Sequence, residues 1–308
     1  MDKSKAIIKV GMLVSYDWQL LKKSIPRIYQ SADIICLALD KNRLTWSCNS
    51  FNFDENEFKS WIKSIDTDQK IEIYEDSFCD TNLNARENGN KHRKMLSEFM
   101  GEGGWHIQID ADEYFLDFDA FCKYLLKFDA NPKLFNKSIN ICVNFIPLFK
   151  QTDNGYLHID FDDGNYEKIP LATNHPQFIR ARQNNHFNHI TNFFIVHETW
   201  ARGEEELSYK LKNWGHSAEE LKQKTYTDSY LSLWKSLDEY NYQYLRNFHP
   251  AKPKVWPKLK FTKGKDIDEL IQNMSSENYY NVSEVKLFYF NNRNIARLRF
   301  YLDKYFKK

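Results

Sequence analysis

Two hydrophobic periods alternate along the first third of the chain, and their alternation predicts the fold. Residues 6–14 (AIIKVGMLV) and 33–40 (DIICLALD) are short apolar, β-branched runs stopped by polar residues, and 70–74 (KIEIY) alternates polar with apolar. All three patterns predict strands. A helical stretch is predicted from Trp18 onward, a second over 55–65, and a third over 86–99 before the Gly101-Glu102-Gly103-Gly104 breaker. A fourth strand follows at 105–110. In it Trp105, Ile107 and Ile109 share one face, and His106, Gln108 and Asp110 share the other. The same alternation sets Asp110 and Asp112 on one side, with small Ala111 between them.

Further on, the pattern predicts a helix over 117–128, a buried strand over 138–149 and a polar turn or hairpin loop over 151–165. Short strands are predicted at 178–182 and 193–196, a charged helix at 204–214 closed by Gly215, and a helix at 227–246. Pro250, Pro253 and Pro257 mark an extended crossing, and 283–308 is a basic, aromatic tail. Strands alternating with helices predict an α/β fold with a mostly parallel central sheet. Ligands bind such sheets beyond the carboxyl ends of the strands. Ser15, Asp40 and Asp110 all lie at those ends.

Composition narrows the partners. Lys and Arg number 43 against 42 Asp and Glu, a net charge of +1, so there is no global electrostatic reason to expect nucleic acid. Aromatic residues reach 16%; such surfaces suit sugar rings, although most of these side chains belong in a core. The five cysteines, Cys36, Cys48, Cys79, Cys122 and Cys142, show no CxxC spacing, and neither a zinc site nor a disulfide framework is expected. With no signal-peptide pattern and no apolar run long enough to span a bilayer, the expected location is the cytoplasm, with reduced thiols.

Asp110 and Asp112 on a strand end would form an oxygen-rich site for a divalent cation such as Mg2+ or Mn2+, which could grip a diphosphate. The segment Trp105-His106-Ile107-Gln108-Ile109-Asp110-Ala111-Asp112-Glu113 resembles the DxD segment of GT-A-fold, family-2-like glycosyltransferases. The resemblance extends upstream to Arg86, Asn90, Lys91 and Arg93. Downstream it reaches 196–206 (VHETWARGEEE) and 212–217 (KNWGHS), so that it covers roughly residues 6–220.

That resemblance implies a GT-A, Rossmann-like three-layer α/β sandwich over 1–220, with 221–308 as a helical C-terminal extension packed on it. The implied activity is metal-dependent transfer of a sugar, with inversion, from a nucleotide-diphosphate donor (a UDP-sugar) to a glycan or lipid-linked acceptor in cell-surface polysaccharide synthesis. Asp112 would bind Mn2+ or Mg2+, Asp110 would contact the metal or the ribose, and His197 would complete the metal site, with His216 as the alternative ligand. Ser15, Asp17 and Asp40 would hold the nucleoside, with Asn90 and Arg93 beside it and Arg93 offsetting phosphate charge. Glu198 would act as general base on the acceptor hydroxyl.

Two rivals are weighed against this. A nucleotidyltransferase would use similar carboxylates, but the turn at 14–18 (VSYDW) lacks the Gly-rich, basic loop such enzymes carry. A non-catalytic carbohydrate-binding protein would use the aromatic surface alone. A zinc-protease pattern fails at Ala201, and Gly101 to Gly104 lacks the Gly-Lys-Ser/Thr ending of a P-loop. The tail from Val285 could lie on an anionic membrane surface, placing the protein peripherally at the inner face. The favoured alternative docks it on the domain, or on a second subunit of a homo-oligomer, because Asn291-Asn292 interrupts any single apolar face.

Overall fold

The computed structural model describes residues 6–132, 138–161, 164–213, 224–249, 255–276 and 280–306. The first half runs β1 (Ile8–Val14), α1 (Leu21–Ile28), β2 (Ile34–Asp40), α2 (Glu55–Ile65), β3 (Ile71–Asp76), α3 (Ala85–Phe99), β4 (Trp105–Asp110), β5 (Glu113–Phe115) and α4 (Phe118–Leu125). The second half runs β6 (Ile139–Gln151), β7 (Gly155–Asp160), β8 (Glu167–Thr173), β9 (Phe187–His197), α5 (Glu204–Asn213), α6 (Lys224–Ser236), β10 (Lys258–Lys263), α7 (Ile267–Ser276), α8 (Glu284–Asn291) and α9 (Arg293–Phe306).

One large sheet has the order β10-β7-β6-β8-β4-β1-β2-β3, with β9 paired to both β6 and β5. The molecule is mixed α/β, and the expectation of a mostly parallel sheet is corrected. Pairs β1–β2, β2–β3, β1–β4 and β6–β9 are parallel. Pairs β4–β8, β6–β8, β6–β7, β7–β10 and β5–β9 are antiparallel. The reason lies in strands whose pattern is weak. The polar stretch expected as a loop at 151–165 contains β7, joined to β6 by a tight turn in which Thr152 N–H donates to Gly155 C=O. β8 carries Pro170, which argues against a central strand. β10 reads KLKFTK, so the segment expected as a helical extension adds a strand to the sheet. Conversely, the strand expected at 178–182 is a tight turn, with Ala181 at φ 48° and Arg180 bridged to Gln183.

In the first half, local rules suffice. Asn84 and Glu87 form a capping box at the start of α3. At its other end buried Lys9 donates to the C=O groups of Met100, Gly101 and Glu102 at 2.8, 3.1 and 3.0 Å, satisfying carbonyls that have no helical partner. Gly104, at φ 78°, enters β4 where a Cβ would stand 2.6 Å from the Ile7 C=O.

Two main cores result. The first gathers the apolar faces of β1, β2 and β4 with α1, α2 and α4; the second gathers β6, β7 and β9 with α5 to α7. The β5–β9 ladder divides them by simple alternation. Phe115 and its partner Ile195 enter the first core, and Tyr114 and its partner Val196 enter the second. Cys48 and Cys79 are joined in a disulfide, their Cα atoms 5.7 Å apart, while Cys36, Cys122 and Cys142 are buried and form no disulfide. This corrects the expectation of five reduced thiols. The pair is 31 residues apart in sequence, and only the fold brings the two loops together. Among the described residues no helix is long and apolar enough to cross a membrane.

Candidate functional site

The acidic turn sits where the two cores meet. β4 ends at Asp110, the chain turns through Ala111 and Asp112, and β5 begins at Glu113 directly opposite His197. The turn is tied on both sides: Asp110 N–H donates to Glu113 Oε2 at 2.9 Å, and Glu198 N–H donates to the Asp112 C=O at 2.8 Å. β9 thus delivers His197 and Glu198 to the turn.

Each carboxylate there is met by cations, in two nests. In the first, Arg93 Nη2 lies 2.7 Å from both Asp110 oxygens, and Arg182 Nη2 lies 3.0 Å from Asp110 Oδ2 and 2.7 Å from Glu113 Oε1. In the second, Asp112 Oδ2 accepts from Arg202 Nη2 and from Lys210 Nζ, each at 2.7 Å, with His197 Nε2 3.5 Å away. Arg202 also reaches Asp17 Oδ2 at 3.0 Å and the Glu198 C=O at 3.2 Å, so it joins the turn after β1 to the ends of β4 and β9. All four cations are buried, and Asp110, at 27% side-chain exposure, is the most open of the three acids in the turn.

The electrostatics follow. Burial pushes the Asp112 carboxyl up, but Lys210, His197 and Arg202 outweigh it and hold its pKa well below the ordinary carboxylate value. Asp110 is lowered in the same way, burial being overcome by Arg93 and Arg182. Glu113 goes the other way, because burial exceeds what Arg182 returns. Lys210 is lowered by burial and by Arg202 despite its bond to Asp112. Removing one partner of such a buried pair costs about 3–5 kcal/mol, since the other charge is left uncompensated. Arg93 Nη1 and Arg182 Nε are buried without a protein hydrogen-bond partner, a condition that points to water or an anion as the missing acceptor.

The expected residues divide. Asp17, Arg93, Asp110, Asp112 and His197 lie together around the acidic turn. Ser15 occupies the turn after β1, where its C=O accepts from Trp18 N–H. Asp40 does not face a ligand: its oxygens accept four backbone N–H groups, from Asn42 (2.9 Å), Leu44 (3.3 Å), Phe78 (2.9 Å) and Cys79 (3.2 Å). Asn90 Oδ1 accepts from Ala181 N–H at 2.7 Å and so fixes the turn that carries Arg182. Glu198 is buried, with Lys23 Nζ 3.2 and 3.3 Å from its two oxygens and the Tyr114 hydroxyl donating to Oε2 at 2.6 Å. That pins the end of β9 and leaves little of the carboxylate open to an acceptor. His216 lies outside the described residues, as do Trp214 and Gly215.

Sequence reasoning missed Arg182, Arg202 and Lys210. Arg202 was within the VHETWAR stretch, but nothing local marks a buried pair 90 residues away in sequence. Lys210 was readable only as a charged helix residue. The helix is set by polar contacts to the β2 loop: Asn213 Oδ1 accepts from Thr45 Oγ1 at 3.0 Å and Asn49 Nδ2 at 2.9 Å. A separate cavity of about 280 Å3, lined by Phe128, Ile139, Phe187, His189 and Arg293, lies at the opposite ends of β6 and β9 from the acidic turn.

No protein-family model matches the sequence, and comparison with curated proteins gives no match.

Proposed function

We propose that the chain is a glycosyltransferase of GT-A type, taking its sugar from a nucleotide-diphosphate donor, a UDP-sugar, and passing it to a glycan or lipid-linked acceptor. The observation that carries this is the convergence of Asp17, Asp110 and Asp112 beyond the carboxyl ends of parallel strands β1 and β4, among buried cations. In the reaction the acceptor oxygen bonds to the anomeric carbon as the bond from that carbon to the diphosphate oxygen breaks, and the hydroxyl proton passes to solvent water. Negative charge grows on the departing diphosphate, and prearranged cations are what that step needs.

The divalent cation expected on Asp112 does not fit the residues as they stand. Among the described residues, no three His, Cys, Asp or Glu side chains are grouped to hold a metal ion. The oxygen that would bind it already accepts from Arg202 and Lys210 at 2.7 Å each. Two unit charges ~4 Å apart repel by about 4 kcal/mol at an effective dielectric of ~20, and a dication doubles this for each neighbour. Arg202 and Lys210, with Arg93 and Arg182 across the turn, are therefore assigned to the diphosphate. A cytoplasmic location accords with a soluble nucleotide-sugar donor but not with the Cys48–Cys79 disulfide, which cytosolic reductants would open.

The test is slow hydrolysis of candidate donors, followed as release of free nucleoside diphosphate. Turnover of one donor that is lost in Arg202→Ala is expected. A full panel of nucleotide sugars left intact, with none raising the melting temperature, would contradict the proposal and favour a non-catalytic sugar-binding protein.

A further inference from the structure

We infer that the outer faces of α8 and α9 form a docking surface for an anionic phospholipid membrane. The evidence is where large apolar side chains meet solvent. Of the fourteen such residues that are exposed among those described, six lie between 285 and 302. They fall into two triads. Val285 (78% exposed), Phe288 (67%) and Tyr289 (44%) occupy α8, and Leu298 (58%), Tyr301 (59%) and Leu302 (46%) occupy α9. Each triad has the spacing i, i+3, i+4, which places its members on one helix face.

The opposite side of α8 is already committed to the protein. Leu287 packs on the second core. Asn291 exchanges two hydrogen bonds with the backbone of Ile190, each 2.8 Å, and Val282 N–H donates to Asn192 Oδ1 at 2.7 Å. The helix is therefore held to β9 by its inner side while its apolar triad faces outward. The Asn291-Asn292 break, which counted against a single apolar face along the tail, separates two short helices with a face each: Asn292 accepts at Oδ1 from the N–H groups of Asn294 and Ile295, starting α9 afresh.

Charge selects the partner. Residues 284–308 contain seven Lys and Arg against two Asp and Glu, a net +5 in a chain whose total is +1, so that residues 1–283 are net −4. Exposed Arg297 stands one helical turn before Tyr301. Apolar triads beside basic side chains suit the interface of an anionic bilayer, where rings and aliphatic chains enter the acyl boundary and guanidinium and ammonium groups stay at the phosphates. A second copy of the chain would meet the same +5 segment and be repelled by it. This inference does not depend on the reaction proposed above.

Flotation with vesicles tests it, using phosphatidylcholine alone and phosphatidylcholine with 30% phosphatidylglycerol, at low salt and at ~0.5 M salt. Binding to the anionic vesicles is expected to exceed binding to neutral ones at least tenfold and to weaken in salt. The double variant Phe288→Glu/Leu298→Glu should lose binding with its circular dichroism and melting temperature unchanged, since both positions are exposed. Arg297→Glu should weaken it less. Equal recovery of wild type and double variant with anionic vesicles overturns the inference. So does a wild-type dimer in light scattering that the double variant dissolves, because a second copy would then cover the face.

Discussion

The two halves of the molecule contribute opposite charges to one site. The first half, β1 to α4, is a parallel unit of strand and helix, and it supplies Asp17, Asp110, Asp112 and Glu113. The second half, largely antiparallel, supplies Arg182, Arg202 and Lys210, with Arg93 of α3 as the exception. Neither half could bury its own set alone, because an unpaired buried charge costs several kcal/mol. The joint between the halves is thus polar at its centre, and its stability and its chemistry rest on the same side chains.

Breaking that joint gives the largest expected effect. Arg202→Ala removes the partner shared by Asp17 and Asp112 and should destabilise the fold by about 3–5 kcal/mol in urea titration. In a double-mutant cycle, Asp112→Asn combined with Lys210→Met should recover part of the sum of the single losses, because the two groups touch. Additive losses would mean the pair is not coupled.

The halves should respond alike to acid. His92 in the first half and His158 in the second are buried and pushed down to about 3, chiefly by loss of solvation. Their unfolded forms protonate near pH 6.5, so the unfolded chain takes up protons first as pH falls. Stability is then full above pH 6.5 and lost below it, by about 1.4 kcal/mol per pH unit for each histidine. His92→Gln and His158→Gln should each flatten the slope of urea midpoint against pH by the same amount. A slope that survives both changes would place the acid sensitivity elsewhere.

Packing, by contrast, acts within one half at a time. At Gly11 a Cβ would lie 2.7 Å from Met100 Sδ and 2.9 Å from Leu96 Cδ2. Gly11→Ala should cost about 1–3 kcal/mol in thermal or urea unfolding and add to Lys210→Met, since the sites share no partner. The smallest stability effect, about 1 kcal/mol, is expected for Glu198→Gln, which keeps the acceptor for Tyr114 but loses the ion pair to half-exposed Lys23. Turnover should then change less than tenfold. A loss of a hundredfold or more with the fold intact would restore Glu198 as the general base.

The same division explains what sequence reasoning reached. In the first half the strands are apolar or alternating runs and α2 and α3 each carry a side-chain N-cap, so β1 to β4 and α2 to α3 fall within a residue or two of expectation. Alternation along the strand carries as far as Asp110, where β4 ends; Asp112 lies in the turn beyond it and meets a different set of cations. In the second half β7, β8 and β10 are short, polar or interrupted by proline, and their partners decide them. Asp40 misled for a related reason: an acid at a strand end can serve a ligand or its own loop, and only the four backbone N–H groups around it show which. The cations were hidden because charged residues in a turn or on a helix read as solvated until a fold buries them.

Isothermal titration of UDP in the presence of EDTA, repeated with Mn2+, tests most directly whether the buried cations hold the diphosphate. Comparable binding under both conditions, lost in Arg202→Ala and weakened at least tenfold in Lys210→Met, is expected. Binding that appears only with Mn2+ would contradict the role given to the cations while leaving the donor class intact. No heat under either condition would contradict the donor site itself.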